Sequence, residues 1–366
     1  MNRPPADAAS NRVRLIELDG LKGISTSFVV AAHIEFRPLF WTWTWMDMFF
    51  VLSSFLLTRI AYRKCIDFKG VVSFYGRRIE RIWPLYFLTL SVLFLIAIAL
   101  NWHRGYASLD LTAFARLFTF SQYSELLFQP VADANIIPFA HHTWSLAIEE
   151  QFYLLLPLDI WALRRSPASL WLTVLAAVIV VSVRQRLATP NMFILTNHLD
   201  SFALGGLLAV VVQELGAHAR RLKQLLSALL LTSLLLFSAY LIDGYATLLD
   251  HGPTPGYQAW PATFSSVFWA CAIGLLALNQ GDAALAILRW PPLIYIGNAS
   301  YAIYLVHYPI LKLVAPQIVT SLPGLSLVAA KLLCLPAILL LADLAYRKID
   351  RPLQQRRPTN LRPAAV

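Results

Sequence analysis

The feature that most constrains this chain is a succession of long apolar runs separated by short polar segments. Several runs reach the roughly 20 residues that a helix needs to cross the hydrocarbon core of a bilayer. Of the 366 residues, 58% are hydrophobic and only 14% are charged, whereas a soluble domain has about 25% charged residues. The chain is therefore expected to be an all-α, polytopic bundle of membrane-spanning helices.

Hydropathy predicts about ten membrane spans. Their approximate ranges are 22–38, 46–60, 82–100, 144–162, 167–183, 196–214, 224–242, 260–279, 291–315 and 324–346. Basic residues concentrate in alternate connecting segments and in the C-terminal tail, and this asymmetry predicts that both termini are cytoplasmic. The first and sixth spans are weakly apolar because ionisable side chains interrupt them. Such spans are where a membrane protein holds its functional polar groups.

A single large domain is expected. Residues 15–352 form one transmembrane domain, preceded by a polar tail over 1–14 and followed by a basic tail over 353–366. The first tail lacks the apolar core of a cleaved signal peptide, so the first span is expected to remain in the mature protein. The apolar-rich segment 111–129 is predicted to form an amphipathic helix. The segment 243–259 is interpreted as an exposed connection.

Charge and cysteine content argue against two classes of function. The net charge of +10 comes from basic residues between apolar runs, which is typical of membrane topology signals rather than of nucleic-acid binding. The cysteines, Cys65, Cys271 and Cys334, are far apart and odd in number. They fit neither a disulfide framework nor a metal site. No nucleic-acid partner and no metal are expected, and membrane lipid is the partner that the composition implies.

Lys22 and His33 form an unusual polar pair in the first span. Eleven residues separate them, so a helix turns almost three times and rises roughly 16 Å between them, placing both on nearly the same face. Taken alone, Lys22 fits a lipid head-group anchor and His33 fits a core histidine with satisfied hydrogen bonds. A cation and an imidazole on one face of an apolar helix together favour a functional site.

Further ionisable residues lie at the edges of later spans. Asp47 opens the second span and Glu149 lies in the first third of the fourth. Each is either a helix cap or part of a polar site. Arg78 and Arg81 precede the third span, where arginines either anchor the cytoplasmic end or bind phosphate oxygens.

The ninth span carries a polar face. Ser300, Tyr304 and His307 are separated by four and three residues, so they share one side of a helix. A polar seam between packed helices is the alternative to a binding site.

Six segments, in order over about residues 18–352, resemble those of the membrane acyltransferase-3 family. They are Asp19-Gly20-Leu21-Lys22-Gly23 through His33; Met46-Asp47 through Leu56; Arg78, Arg81, Pro84 and Tyr86; Trp144-Ser145-Leu146 through Glu149, Phe152 and Tyr153; Gly297, Ser300, Tyr301, Tyr304, Leu305, His307 and Pro309; and Asp350-Arg351-Pro352. Two positions depart from the family pattern: Ser54 replaces the usual glycine, and His198 stands where an arginine often precedes the aspartate. Lys22 is the less common alternative at the first basic position.

The resemblance implies a membrane O-acyltransferase. Such an enzyme moves an acyl group, usually acetyl, from acyl-coenzyme A to a hydroxyl of an envelope or exported polysaccharide. It implies no permanently bound cofactor, since acetyl-coenzyme A or another acyl-CoA is the donor substrate. The implied acceptor is a carbohydrate or lipid-linked glycan, with polysaccharide assembly machinery as a further partner. The implied location is the bacterial inner membrane, as a multi-pass protein.

The resemblance and the chemistry together assign roles. Histidine is the side chain best suited to accept a hydroxyl proton near neutral pH, so His33 is the expected base, oriented by Asp47 or Glu149. The basic positions are expected to bind the coenzyme A phosphates: Lys22, Arg78 and Arg81. The expected substrate-binding residues are Trp144, Ser300, Tyr304 and His307.

A transporter or flippase of a lipid-linked sugar or small anion is the alternative function. Ionisable residues inside a membrane also occur along transport pathways. The two halves of this chain lack corresponding polar breaks, which argues against it. The acceptor glycan, the acyl group and the choice between direct transfer and an acyl-enzyme all stay open.

Overall fold

The protein is built from helices. The computed structural model describes residues 15–35, 41–42, 44–65, 67–104, 111–122, 138–163, 168–188, 193–215, 218–251 and 255–355. Every regular element in these ranges is helical, which confirms the predicted all-α class. The predicted tails lie outside the described residues, except that 353–355 belong to a helix.

The helices follow one another through short connections. In the described chain they are α1 (Ile16–Ile34), α2 (Trp45–Lys64), α3 (Phe68–Arg104), α4 (Leu111–Phe118), α5 (Trp144–Leu163), α6 (Ala168–Ala188), α7 (Leu199–Glu214), α8 (Ala219–His251), α9 (Pro255–Leu278), α10 (Pro291–Asn298), α11 (Ser300–Leu313), α12 (Ala315–Ser321), α13 (Leu327–Leu333), α14 (Leu335–Ala345) and α15 (Arg351–Gln355). Short 3-10 helices cover Pro138–Thr143, Leu195–Asn197 and Ala283–Arg289, and a π-helical turn covers Tyr346–Asp350.

Some helices extend beyond the predicted spans. α3 begins at Phe68, well before residue 82, because its arginine-rich first part is polar yet contains no proline that would end a helix. The segment 243–259 was interpreted wrongly as a connection, since α8 continues to His251 and α9 begins at Pro255. Ala246, Leu248 and Leu249, in the last part of α8, favour the helix. The predicted amphipathic helix is confirmed over the eight residues of α4.

The predicted ninth and tenth spans are each divided. α10 ends at Asn298 and α11 begins at Ser300. In the tenth, α13 ends at Leu333 and α14 begins at Leu335, one residue before Pro336. Proline has no backbone N–H, so it fits the first turn of a new helix better than the middle of a continuous one.

The described chain contains six helical segments long and apolar enough to cross a membrane. They are Trp45–Tyr62, Phe68–Leu100, Ala219–Tyr240, Trp260–Leu278, Ser300–Ser321 and Leu327–Gln355. Leucines on α8 and α14, such as Leu235 and Leu340, are 61% and 62% exposed, as expected for side chains that contact lipid. A multi-pass membrane protein is thus supported, while the count of ten spans and the cytoplasmic termini stay predictions.

Glycines bring α1 and α10 into backbone contact. A Cβ atom at Gly23 would lie 2.1 Å from the carbonyl oxygen of Leu293, and one at Gly297 would lie 1.9 Å from that of Asp19. Small residues at helix crossings allow this close approach inside a membrane. The contact fixes α1, which carries Lys22 and His33, against the C-terminal third of the protein.

Ser54, the departure from the family glycine, is accommodated between α2 and α7. Its hydroxyl donates a 2.5 Å hydrogen bond to the carbonyl of Phe202, and the side chain is fully buried. The facing residue is Gly205, where a Cβ would lie 2.9 Å from the Cβ of Ser54. A glycine on α7 thus makes room for the side chain that α2 has gained.

Candidate active site

α1 presents a cation near its first turns and an imidazole near its end. Lys22 forms an ion pair with Asp19 at 2.6 Å. His33 lies in the last turn, directly before the helix ends at Ile34. A continuous helix between them confirms the geometry expected from the eleven-residue spacing, with a rise of about 16 Å along one face.

His33 is hydrogen-bonded to His307 of α11, which lies 274 residues away in sequence. His307 Nδ1 faces the carbonyls of Tyr304 at 2.7 Å and Ile303 at 3.1 Å. Carbonyls only accept, so in the neutral ring this nitrogen carries the proton and Nε2 is an acceptor. His33 Nδ1 lies 3.2 Å from that Nε2 and 2.9 Å from the carbonyl of Val29.

The hydrogen-bond network assigns the tautomer of His33. Its Nδ1 has two acceptors as neighbours, so it carries the proton in the neutral ring. The lone pair is then on Nε2, which accepts no hydrogen bond from the described residues. His33 is half-buried, so this atom belongs to a side chain that still has access to a substrate. The arrangement suits a general base.

Lys331 and Glu35 hold the end of α1. Lys331, on α13, is 2% exposed; its ammonium group donates to the carbonyl of His33 at 3.1 Å and to the carboxylate of Glu35 at 2.9 Å. Glu35 adopts a left-handed backbone conformation with φ 63° and also pairs with Lys312 at 3.2 Å. A cation at a helix C-terminus interacts favourably with the free carbonyls there, so Lys331 fixes the backbone that carries the candidate base.

Aromatic rings surround the histidine pair. His33 lies 5.0 Å, between ring centroids, from both His307 and Tyr308. His142, in the 3-10 helix before α5, contacts the same two rings at 5.4 Å and 5.0 Å. Tyr304 holds this segment, because its hydroxyl donates to the carbonyl of His142 at 2.5 Å. We call His33, His142, His307 and Tyr308 the histidine cluster.

The basic positions of the sequence lie near two acids. The buried carboxylate of Asp350 interacts electrostatically with both Arg81 and Lys22. Glu149 interacts in the same way with Arg81 and Arg78. Asp350 thus has Lys22 of α1 and Arg81 of α3 as common electrostatic partners. The Nε of Arg78 is buried and has no hydrogen-bond partner among the described residues.

The two acids predicted to orient His33 have other partners. Glu149 accepts hydrogen bonds from Tyr153 at 2.7 Å and from Ser53 at 3.1 Å. Asp47 lies 3.6 Å from Nδ1 of His198. The partners of His33 Nδ1 are instead the Val29 carbonyl and His307, so the structure places a second histidine where the sequence offered a carboxylate.

The predicted substrate-binding residues are distributed over the site and its support. His307 contacts His33 directly, and Tyr304 bonds to the segment of His142 and to the hydroxyl of Ser145 at 2.9 Å. Ser300 is the half-buried first residue of α11. Trp144 is buried and its ring packs beside His198, with centroids 5.8 Å apart. It thus lies on the Asp47 side of the bundle.

Sequence reasoning overlooked three residues. Lys331 is one of only two charged residues in the predicted tenth span, and that isolation was a usable signal. His142 lies two residues before Trp144, where a matched segment begins, but it was given no role. Arg186 of α6 is buried and forms an ion pair with Asp200 at 2.5 Å, and it was likewise given no role.

Comparisons with known proteins identify the domain. A family model of the acyltransferase-3 type, described as an acyltransferase domain, matches residues 15–347. No solved structure matches the chain.

The chain is also similar to curated proteins. It is 27% identical over 363 residues to O-acetyltransferase OatA of Staphylococcus aureus, covering 93% of this chain and 57% of that protein. It is 28% identical over 366 residues to putative peptidoglycan O-acetyltransferase YrhL of Bacillus subtilis, covering 92% and 54%. Peptidoglycan O-acetyltransferase OatA of Listeria monocytogenes is 24% identical over 361 residues, covering 92% and 55%. This chain therefore spans little more than half the length of these relatives.

The family match extends over nearly the whole chain, and its matched segments contain Lys22, His33, the arginines of α3 and the histidine of α11. The chain belongs to the acyltransferase-3 family.

Proposed function

We propose that this chain is a membrane O-acetyltransferase that moves an acetyl group from acetyl-coenzyme A to a hydroxyl of an envelope carbohydrate. The family match and the names of its relatives support the reaction class. Two of those names specify peptidoglycan, so a peptidoglycan sugar is the first acceptor to test, before an exopolysaccharide. The proposed location is the bacterial inner membrane, which is what the family resemblance implies.

The observation that carries the proposal is the hydrogen bond between His33 and His307. A sugar hydroxyl is a weak nucleophile and needs a base at the moment of attack. The proton on His33 Nδ1 is held by His307 and the Val29 carbonyl, which directs the ring and leaves Nε2 to take the hydroxyl proton. His307 thus acts as the orienting group that a carboxylate provides in a triad.

The donor would be bound at the other end of α1. Coenzyme A carries phosphates, for which arginine and lysine side chains are suitable partners. Lys22 and Arg81 share the acidic neighbour Asp350, and a bound phosphate would add a further anion to this group, in which Lys22 also pairs with Asp19. The rise of about 16 Å from Lys22 to His33 is a plausible reach for the extended pantetheine arm to bring the thioester to the histidine cluster.

In a direct transfer the acceptor oxygen attacks the thioester carbonyl and His33 Nε2 takes its proton. The carbon–sulfur bond then breaks, and the same proton returns to the leaving thiolate to give free coenzyme A. If a hydroxyl of the chain attacks first, the same atom takes that proton, and a second cycle delivers the acetyl group to the carbohydrate. Either route requires the lone pair on Nε2 of His33.

The test uses purified protein in lipid nanodiscs with acetyl-coenzyme A and a soluble peptidoglycan fragment, read by release of free thiol and by mass spectrometry of the sugar. We expect His33→Ala to lose transfer by about 10²–10⁴-fold, as for a general base. His218→Ala is the matched control, since His218 is exposed at the start of α8. Full turnover by a folded His33→Ala protein would disprove the role of the base.

The donor site is tested with two variants of one residue. Lys22→Ala should raise the KM for acetyl-coenzyme A, while Lys22→Arg should keep most of the activity because it retains the charge. Glycan analysis of wild-type and deletion cells identifies the acyl group and the acceptor. Normal glycan that lacks O-acetyl groups supports the proposal, whereas loss of exported glycan would favour the transporter.

A further inference from the structure

His142 has a buried imidazole whose two nitrogens form no hydrogen bond with the part of the chain that the structure describes. The residue is 2% exposed, and neither Nδ1 nor Nε2 has a hydrogen-bond partner among the described residues. A neutral imidazole has one donor and one acceptor nitrogen. Leaving both unpaired away from water reduces the stability of the folded protein, so such a group in a native site calls for an explanation.

The ring of His142 is held in place by its surroundings, although its nitrogens are unpaired. The hydroxyl of Tyr304 fixes the His142 carbonyl at 2.5 Å. The ring of Tyr308 stacks on the His142 ring, with centroids 5.0 Å apart and planes inclined by 28°. The carbonyl of Tyr304 also interacts with the His142 ring, but no His142 nitrogen meets hydrogen-bond geometry with it, and this carbonyl accepts a hydrogen bond from His307 at 2.7 Å.

The position of the His142 ring, beside the rings that surround His33, suggests that its nitrogens interact with the substrate. Its ring contacts His307 and Tyr308, which are the two rings that His33 also contacts. The His142 ring therefore belongs to the same cluster of rings as the candidate base. A metal does not account for them, because no group of three His, Cys, Asp or Glu side chains in the described part of the chain could hold one.

We propose that His142 donates an N–H hydrogen bond to the carbonyl oxygen of the acyl group as that oxygen becomes negative during transfer. This inference rests on the proposed acetyl transfer. Attack of a hydroxyl on the thioester moves an electron pair onto the carbonyl oxygen, and a donor already oriented in a dry site stabilises that charge. His33 takes the proton and His142 stabilises the oxyanion, so the two imidazoles that share neighbours have opposite tasks.

The decisive variant is His142→Phe, which keeps a planar ring and removes both nitrogens. If His142 only fills space, this change removes unpaired polar atoms, so the protein should be at least as stable and equally active. If it stabilises the oxyanion, the melting temperature should stay equal or rise while kcat falls about 10²–10³-fold. The KM for acetyl-coenzyme A should change little, because the interaction forms only in the transition state.

Two further variants separate chemistry from packing. His142→Gln retains an N–H donor and should keep more activity than His142→Phe. His141→Phe alters the preceding histidine, which packs on Phe193, and should keep wild-type kcat.

The outcomes distinguish the two proposals. If the wild-type protein transfers acetyl groups and His142→Phe has the same kcat, the role of His142 is overturned and the proposed function stays intact. Wild-type protein that performs no acetyl transfer would overturn both. Folded His142→Phe with a reduced kcat and an unchanged KM, beside an active His141→Phe, supports both.

Discussion

Removal of Glu35 is expected to destabilise the protein more than removal of its buried partner Lys331. Lys331 is 2% exposed and has Glu35 and the His33 carbonyl as hydrogen-bond partners. Glu35→Ala leaves the ammonium group buried without that carboxylate, and an uncompensated buried charge costs about 3–5 kcal/mol. Lys331→Met instead leaves Glu35, whose side chain is 55% exposed, in contact with water and with Lys312.

Lys331→Met is expected to reduce the free energy of unfolding less than Glu35→Ala, because a loss and a gain partly cancel. Hydrogen bonds of charged groups contribute about 1.5–3 kcal/mol, and these are lost. Methionine fills a similar volume and avoids the desolvation of an ammonium group, which offsets part of the loss. We therefore expect about 1–2 kcal/mol for Lys331→Met, and almost the same value for the double variant Glu35→Ala/Lys331→Met.

The measurement is equilibrium unfolding of detergent-solubilised protein with a denaturing detergent, followed by fluorescence of the 11 tryptophans. Lys312→Met is the control, because it removes the more exposed ion pair of Glu35 and a cation–π contact with Tyr308 at 5.4 Å but leaves Lys331 paired, and it should cost about 0–1 kcal/mol. The reasoning fails if Glu35→Ala is no more destabilising than Lys331→Met. It fails equally if the two single effects add in the double variant.

Three other substitutions probe how the site is supported. Gly297→Ala places a methyl group 1.9 Å from a carbonyl oxygen of α1 and should destabilise by at least about 1–3 kcal/mol, with loss of activity, in unfolding and transfer assays. Ser54→Ala removes the buried hydrogen bond to the Phe202 carbonyl and should lower stability by about 1 kcal/mol, while kcat stays near wild type. Tyr304→Phe removes the hydrogen bond to the His142 carbonyl. It should lower kcat while the free energy of unfolding changes little. A kcat equal to that of the wild type would contradict the role of Tyr304 in holding His142.

Local periodicity predicted what lies on one helix. The spacing of Lys22 and His33 correctly predicted one continuous helix with both residues in it, because helix geometry depends only on the number of residues between them. The polar first part of α3 was not predicted, since a hydropathy window registers apolar residues and passes over a helix that carries arginines. The divisions before Ser300 and Leu335 were missed because an apolar run gives no sign of where its helix changes direction.

Contacts between distant helices were beyond the reach of local patterns. The resemblance included both His33 and His307, but only the fold shows that their rings are hydrogen-bonded. The same holds for Lys331, whose partners lie on α1 almost 300 residues earlier. The sequence suggested a carboxylate as the partner of His33 by analogy with triads, whereas the structure supplies an imidazole whose tautomer in the neutral ring is set by backbone carbonyls.

The contact between α1 and α10 restricts how these two helices can move relative to each other. Since these helices meet through backbone atoms at Gly23 and Gly297, neither can slide or rotate past the other without a collision. We expect α1 and α10 to move as one rigid body. Opening and closing of the protein around its substrates should then occur through movement of the surrounding helices relative to this pair. The imidazole of His33 should stay at a constant depth in the bilayer.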